Sequence, residues 1–209
     1  MSDDMKLSYA ICVCDEAFEL RNLLAFLVEV KDEEDEINVL VDTGRVTEKV
    51  RNVLDRYKSH VVVHEREFCG NFSAHRNYHN SLCTGDYIFV IDADEIPMET
   101  LVRNVKKMIT ETKSELIYVP RLNICPGYTE KWNKEKHGFN INENGWINWP
   151  DHQGRIYKNS SQIEWTNGVH ETVTGAEGVV ALQPNPQLAL WHVKTVERQD
   201  MQHDFYETL

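Results

Sequence analysis

Over the first 120 positions, apolar side chains follow two alternating rhythms. Short continuous runs rich in β-branched and aromatic residues, at 7–14, 37–41, 60–64, 87–91 and 116–119, predict strands, that at 87–91 a buried one. Between them, apolar positions recur at helical spacing. Residues 18–30 place Leu20, Leu23, Leu24 and Leu27 on one face, and 46–57 do the same with Val50, Val53, Leu54 and Tyr57. Ser73 is the expected N-cap of a helix running to about Leu82, which Thr84-Gly85 stops, and 98–110 supplies a fourth helix. Strands alternating with helices predict an α/β fold, a mixed and mostly parallel central sheet flanked by helices on both faces.

Beyond Pro120 the rhythm is lost. Residues 121–150 are rich in Asn, Gly, Trp and Lys and read as a long surface excursion, of a length that is uncommon unless functional. Trp132, Trp146 and Trp149 suit either stacking on sugar rings or pinning an irregular segment to the core. Short strands are expected again at 155–157, 162–165 and 188–191, and a polar, helix-like tail at 196–209. That tail has no clear stop signal, as expected of the front domain of a longer polypeptide; residues 1–209 form one domain.

Composition narrows the function. The chain is 41% hydrophobic and 27% charged, as in ordinary soluble globular proteins, and no run approaches the ~18 apolar residues of a membrane span. The start, Met1-Ser-Asp-Asp-Met-Lys6, lacks the basic and apolar regions of a signal peptide, which predicts a cytoplasmic site of action. A net charge of −12 argues against nucleic-acid or anionic-membrane partners, which require a basic footprint. The acidic run 32–36 reads as a solvated connection. Five cysteines without Cys-x-x-Cys pairing indicate neither a zinc ribbon nor a disulfide scaffold, and Cys12 and Cys14 alternate along an apolar strand as small buried side chains.

The candidate chemistry follows the strand at 87–91, which delivers Asp92 and Asp94 into the loop at its carboxyl end, where α/β sheets keep their ligands. Acidic pairs are frequent in exposed turns, but two carboxylates fixed by a buried strand suit Mg²⁺ or Mn²⁺ and, through the ion, a diphosphate. His75 and His79 share a helix face without an evident third ligand and read as packing or surface residues. His170-Glu171 is no zinc-protease signature, because Thr174 stands where the second His would be.

Taken in order, these segments resemble the GT-A (Rossmann-like) glycosyltransferases of the family 2-like group. Ile11-Cys-Val-Cys-Asp-Glu16 stands at the first strand and its Asn-Glu pair, Val41-Asp-Thr-Gly44 at the base-reading Asp, and Phe72-Ser-Ala-His-Arg-Asn77 at a Phe-Ser-x-x-Arg-Asn stretch. Asp92-Ala-Asp-Glu95 stands at the Asp-x-Asp motif, Gly168-Val-His-Glu171 at the acceptor-side acid, and Trp191-His192 at a late metal-binding histidine. Asp15 departs from the pattern, where Asn is usual. The compact size is also similar to that of small virus-encoded, chlorella-virus-type members that build capsid glycans, for which the cytoplasm would be the host's.

The resemblance implies a metal-dependent, inverting transfer of a sugar from a UDP-sugar to a hydroxyl of a glycan or glycoprotein. Residues 1–120 would form the nucleotide-sugar half and 121–209 the acceptor half. Asp94 and His192 would hold Mn²⁺ or Mg²⁺, with Asp92 on the ribose or reaching the ion through water. Asp42 would accept the imide N–H of uracil, and Cys14, Glu16 and Ala93 would line the nucleotide site. Arg76 would sit near the phosphates or steady the Asp-x-Asp carboxylates. Glu171 would be the general base, with Asp151 as its rival. Two other readings compete. A nucleotidyltransferase would need a Gly-rich basic loop after the first strand, where Cys14-Asp-Glu-Ala-Phe18 stands. A noncatalytic nucleotide- or glycan-binding module would share the fold without turnover.

Overall fold

The alternating pattern is realised in a computed structural model that describes residues 5–206 and 208. Strands β1 (Leu7–Val13), β2 (Glu36–Asp42), β3 (Val61–Arg66) and β4 (Tyr87–Asp92) run parallel and are joined through α1 (Ala17–Val30), α2 (Glu48–Tyr57) and α3 (Phe72–Asn80). A short strand, β5 (Glu95–Pro97), leads into α4 (Glu99–Thr112), β6 (Leu116–Val119) and β7 (Arg121–Ile124). One turn of helix, α5 (Glu130–Trp132), continues into a π-helical turn, Asn133–His137, before β8 (Trp146–Ile147) and β9 (Gln153–Lys158). The hairpin β10 (Glu164–Thr166) and β11 (Thr172–Thr174), β12 (Val179–Ala181), β13 (Leu190–Val193) and α6 (Val196–Tyr206) complete the chain.

The main sheet has the order β12-β6-β9-β4-β1-β2-β3, antiparallel where β9 joins β4 and β6 and parallel elsewhere. Strand periodicity sorts its two faces. Tyr9, Ile11, Ile37, Val39, Phe89 and Ile91 pack with Leu20, Leu24, Leu27, Val50, Leu101 and Val105 of α1, α2 and α4. Ala10, Ile88, Val90 and Tyr157 point the other way, into a second cluster with Trp165 and Val173 of the hairpin. On that same face α3 buries His75 and His79; His79 Nε2 hydrogen-bonds Asn38 Oδ1 at 3.0 Å and packs against the sheet, while His75 borders the large cleft at the strand ends. Helices therefore cover both faces, as the pattern predicts.

Three expectations need correction. Asn71, not Ser73, caps α3, with its side chain accepting from the Ala74 N–H at 2.9 Å. Residues 121–150 are not wholly a surface excursion, because β7 and β8 join β5 and β13 in a second sheet of order β5-β13-β7-β8. The last strand begins after a 3₁₀ turn, Pro186–Leu188, and runs Leu190–Val193, which puts His192 inside the sheet between Glu95 and Asn123.

Trp132 takes the anchoring role. Its indole N–H donates to Asp200 of α6 at 2.9 Å, and its ring lies 4.3 Å from that of His137. The expected tail helix is α6; Glu207 and Leu209, like residues 1–4, lie outside the described residues. Strands from both sides of residue 120 share the main sheet, since β9 and β12 are built into it. Among the described residues no helix is long and apolar enough to cross a membrane.

Candidate active site

The parallel strands align Cys12 with Asp92 and Val13 with Val41, so β1, β2 and β4 end together. Their carboxyl ends open onto a cleft of ≈ 610 Å³, within the ~300–1,000 Å³ typical of ligand sites. Every site residue expected from sequence lines it: Cys14, Glu16, Asp42, Arg76, Asp92, Ala93, Asp94, Asp151, Glu171 and His192.

A chain of alternating charges crosses its floor. Glu171 Oε1 accepts from Arg76 Nε at 2.8 Å, and Arg76 Nη2 donates to Asp92 Oδ1 at 2.9 Å. Arg155 Nη2 then bridges Asp92 Oδ2 and Glu95 Oε1, each at 2.7 Å. Arg121 continues the chain from Glu95, at 3.3 Å, to Asp151 Oδ2, at 2.8 Å. Burial works against the ionised form of Asp92, but Arg155 and Arg76 outweigh it and hold the carboxyl well below its ordinary range. Glu95, fully buried, also accepts the Asp92 N–H at 3.0 Å and so fixes the Asp-x-Asp turn. Of the two roles expected of Arg76, the structure shows the steadying of Asp92.

Asp94 has different partners. Its Oδ2 lies 3.4 Å from His192 Nε2 and 3.2 Å from Lys194 Nζ. Burial again opposes the charge, and His192 and Lys194 overcome it, keeping the Asp94 carboxyl well below its ordinary range. His192 Nδ1 lies 2.8 Å from Asn123 Oδ1, an acceptor, so Nδ1 carries a proton and Nε2 is the nitrogen turned toward Asp94, the one that would offer its lone pair to an ion bound there. One carboxylate oxygen and one oriented imidazole, opening onto a cleft, fit Mn²⁺ or Mg²⁺ as donors.

Another cluster fits an ion less well. Ligand atoms of Cys14, Asp15 and Glu16 gather within 4.8 Å of one another, but Arg198 of α6 takes both carboxylates, Asp15 Oδ1 at 2.6 Å and Glu16 Oε1 at 2.8 Å. Burial, with the charges of Glu16 and Asp15, pushes the Cys14 thiol up to about 12, far from the thiolate that binds metal. Asp15, the departure from the family pattern, thus serves to hold α6.

At the far end of β2, Asp42 Oδ1 accepts the N–H groups of Gly44, at 3.0 Å, and Phe68, at 2.9 Å, which fixes the carboxylate plane. Asp151 is the more committed of the two candidate bases: Arg121, Asn123 and Gln153 all donate to it. Glu171 sits at the hairpin that Asn77 pins, its side chain pairing with Trp165 through N–H and C=O at 2.8 Å each.

Sequence reasoning did not single out Arg155, Arg121, Asn123, Glu95, Lys194 or Arg198. The available signal was a charged residue at the head of an apolar strand, Arg155 before Ile156-Tyr157, and the alternation Arg121, Asn123 in an otherwise apolar segment.

The profile of Glycosyl transferase family 2 matches residues 8–173, and the chain belongs to that family. Its fold is that of the GT-A glycosyltransferases. S. aureus TarS 1–349 in complex with UDP-GlcNAc superposes with a TM-score of 0.63 at 16% identity, over 91% of this chain and 59% of that one. The same protein in complex with UDP gives 0.60 at 15% identity, over 95% of this chain and 63% of that one. At such identities the likeness is one of fold, and this chain spans less than two thirds of TarS 1–349. Comparison with curated proteins found no match.

Proposed function

We propose that the protein transfers a sugar from a UDP-sugar to a hydroxyl of a glycan or glycoprotein acceptor, in one inverting displacement that depends on a divalent ion. The observation that carries this reading is the facing pair Asp94 Oδ2 and His192 Nε2, 3.4 Å apart on the wall of a family 2 cleft. These two residues would hold Mn²⁺ or Mg²⁺, which as a Lewis acid neutralises charge developing on the leaving diphosphate. Asp42 accepts the uracil imide N–H. Asp92, its charge already balanced by Arg76 and Arg155, acts as an oriented acceptor toward the ribose.

Glu171 takes the proton of the acceptor hydroxyl as that oxygen attacks the anomeric carbon from the face opposite the diphosphate. Its guanidinium contact, from Arg76, goes to Oε1, which leaves Oε2 for the acceptor hydroxyl. Asp151 is saturated by its donors and instead positions Arg121.

Calorimetric titration with UDP, GDP and CMP, each with Mn²⁺ and with EDTA, tests the reading. Binding of UDP only with Mn²⁺ is expected, and Asp94→Ala should remove the response to the ion. Failure of every nucleotide to bind would leave a glycan-binding module in its place.

A further inference from the structure

We infer that Lys194 is a second cation for the donor's diphosphate, parked on Asp94 until a metal ion takes that carboxylate; the inference rests on the UDP-sugar reading. Lys194 follows His192 by two residues and shares its buried side of the strand, while Val193 between them is exposed. Its ammonium lies 3.2 Å from Asp94 Oδ2 and donates to Gln202 Oε1 of α6 at 2.6 Å. The residue is only 7% exposed.

An ammonium this buried needs a counter-charge. Gln202 is neutral, so Asp94 supplies it, through the same oxygen that faces His192 Nε2. A divalent ion drawn to that oxygen competes with the ammonium for it, because the carboxylate's single charge would be shared between two cations about 4 Å apart that repel each other. Loading the ion therefore releases the ammonium from Asp94. Lys194 lines the cleft beside Asp94 and Glu16, and its flexible stem can follow an incoming phosphate. Charge balances in the loaded state. The ion and Asp94 together leave one positive charge, Lys194 adds another, and the diphosphate of a nucleotide sugar carries about two negative ones.

The wild type, Lys194→Gln and Lys194→Arg are titrated calorimetrically with Mn²⁺ alone, with UDP in the presence of Mn²⁺, and with uridine. Lys194→Gln is expected to bind Mn²⁺ alone several-fold more tightly, because its competitor is gone, yet to bind UDP with Mn²⁺ about tenfold more weakly. Uridine affinity should be unchanged, which reports an intact base site, and Lys194→Arg should keep most of the UDP affinity. A lysine that merely props the strand would weaken Mn²⁺ and UDP together. That joint loss, or affinities equal to the wild type, overturns the assignment. A wild type that binds no UDP overturns the function reading and takes the Lys194 assignment with it.

Discussion

Arg76 and Glu171 form an ion pair, Nε to Oε1 at 2.8 Å, that ties α3 to the hairpin β10–β11 across the cleft. The two residues are 95 positions apart in the chain. Because the same guanidinium also holds Asp92, the carboxylates proposed to face the donor and the acceptor share one cation, and the position of Glu171 depends on the β4 side of the cleft. A forked, planar donor can do this; a lysine ammonium could not address both oxygens with the same geometry.

That geometry makes Glu171→Gln a clean test of the base. The amide oxygen can still accept from Arg76, so the cleft should keep its shape and its UDP affinity. Proton acceptance is lost, and the rate of sugar transfer should fall by about 100-fold or more. Transfer and UDP titration on one preparation separate the two effects. Retained transfer in Glu171→Gln, with loss in Asp151→Asn, would move the base to Asp151.

Asp42→Asn should change which base the cleft prefers. Oδ1 is fixed by two backbone N–H groups, so the asparagine carbonyl takes that place and its NH₂ stands where the free carboxylate oxygen was. A donor there repels the uracil imide N–H and suits the ring nitrogen of cytosine. UDP affinity is expected to fall about 10- to 100-fold while CDP gains relative to it. An unchanged UDP-to-CDP ratio would place the base elsewhere.

How much of this was written in the sequence follows from what each residue packs against. β1, β2 and β4 are legible because burial on both faces demands continuous apolar runs, while β3, at the sheet edge with Val62 and Val63 exposed, shows through its β-branched run alone; Asp42, Asp92 and Asp94 stand out as the polar residues at the ends of β2 and β4. β7 is hidden for the converse reason: Arg121 and Asn123 face the cleft, so the run that would mark a strand is broken by the residues that serve the site. Glu171 and His192 are singled out only by the family resemblance, since no local pattern separates either from an ordinary strand-end side chain. Asn71 and Ser73 are both good capping residues. Only the extended backbone at Asn71, φ −131° and ψ 103°, decides between them.

The buried histidines of α3 predict how stability responds to acid. Burial, with Arg66 adding to it, brings His75 down to about 4, and burial, with His75 and Arg76, brings His79 down to about 3. In the unfolded chain each would titrate near ~6.5. Between those values the unfolded state binds protons that the folded state excludes, so stability should fall as pH falls from about 6.5. For the deeply buried His79 the loss approaches about 1.4 kcal/mol per pH unit, or roughly 1.6 kcal/mol between pH 6.5 and 5, and His75 adds to it in the same direction. Depressed carboxylates such as Glu36, at about 2, add their own loss only in stronger acid. Asp35, whose carboxyl burial holds above its ordinary range, works in the opposite direction over the acid end of the window. Urea midpoints at pH 7, 6 and 5 should therefore decline, and His79→Gln, which can keep a hydrogen bond to Asn38, should lose about half of the slope. A pH-independent wild-type midpoint would show that these imidazoles take up protons within the fold, and that α3 packs less tightly on β1 and β2 than the 3.0 Å contact between His79 and Asn38 implies.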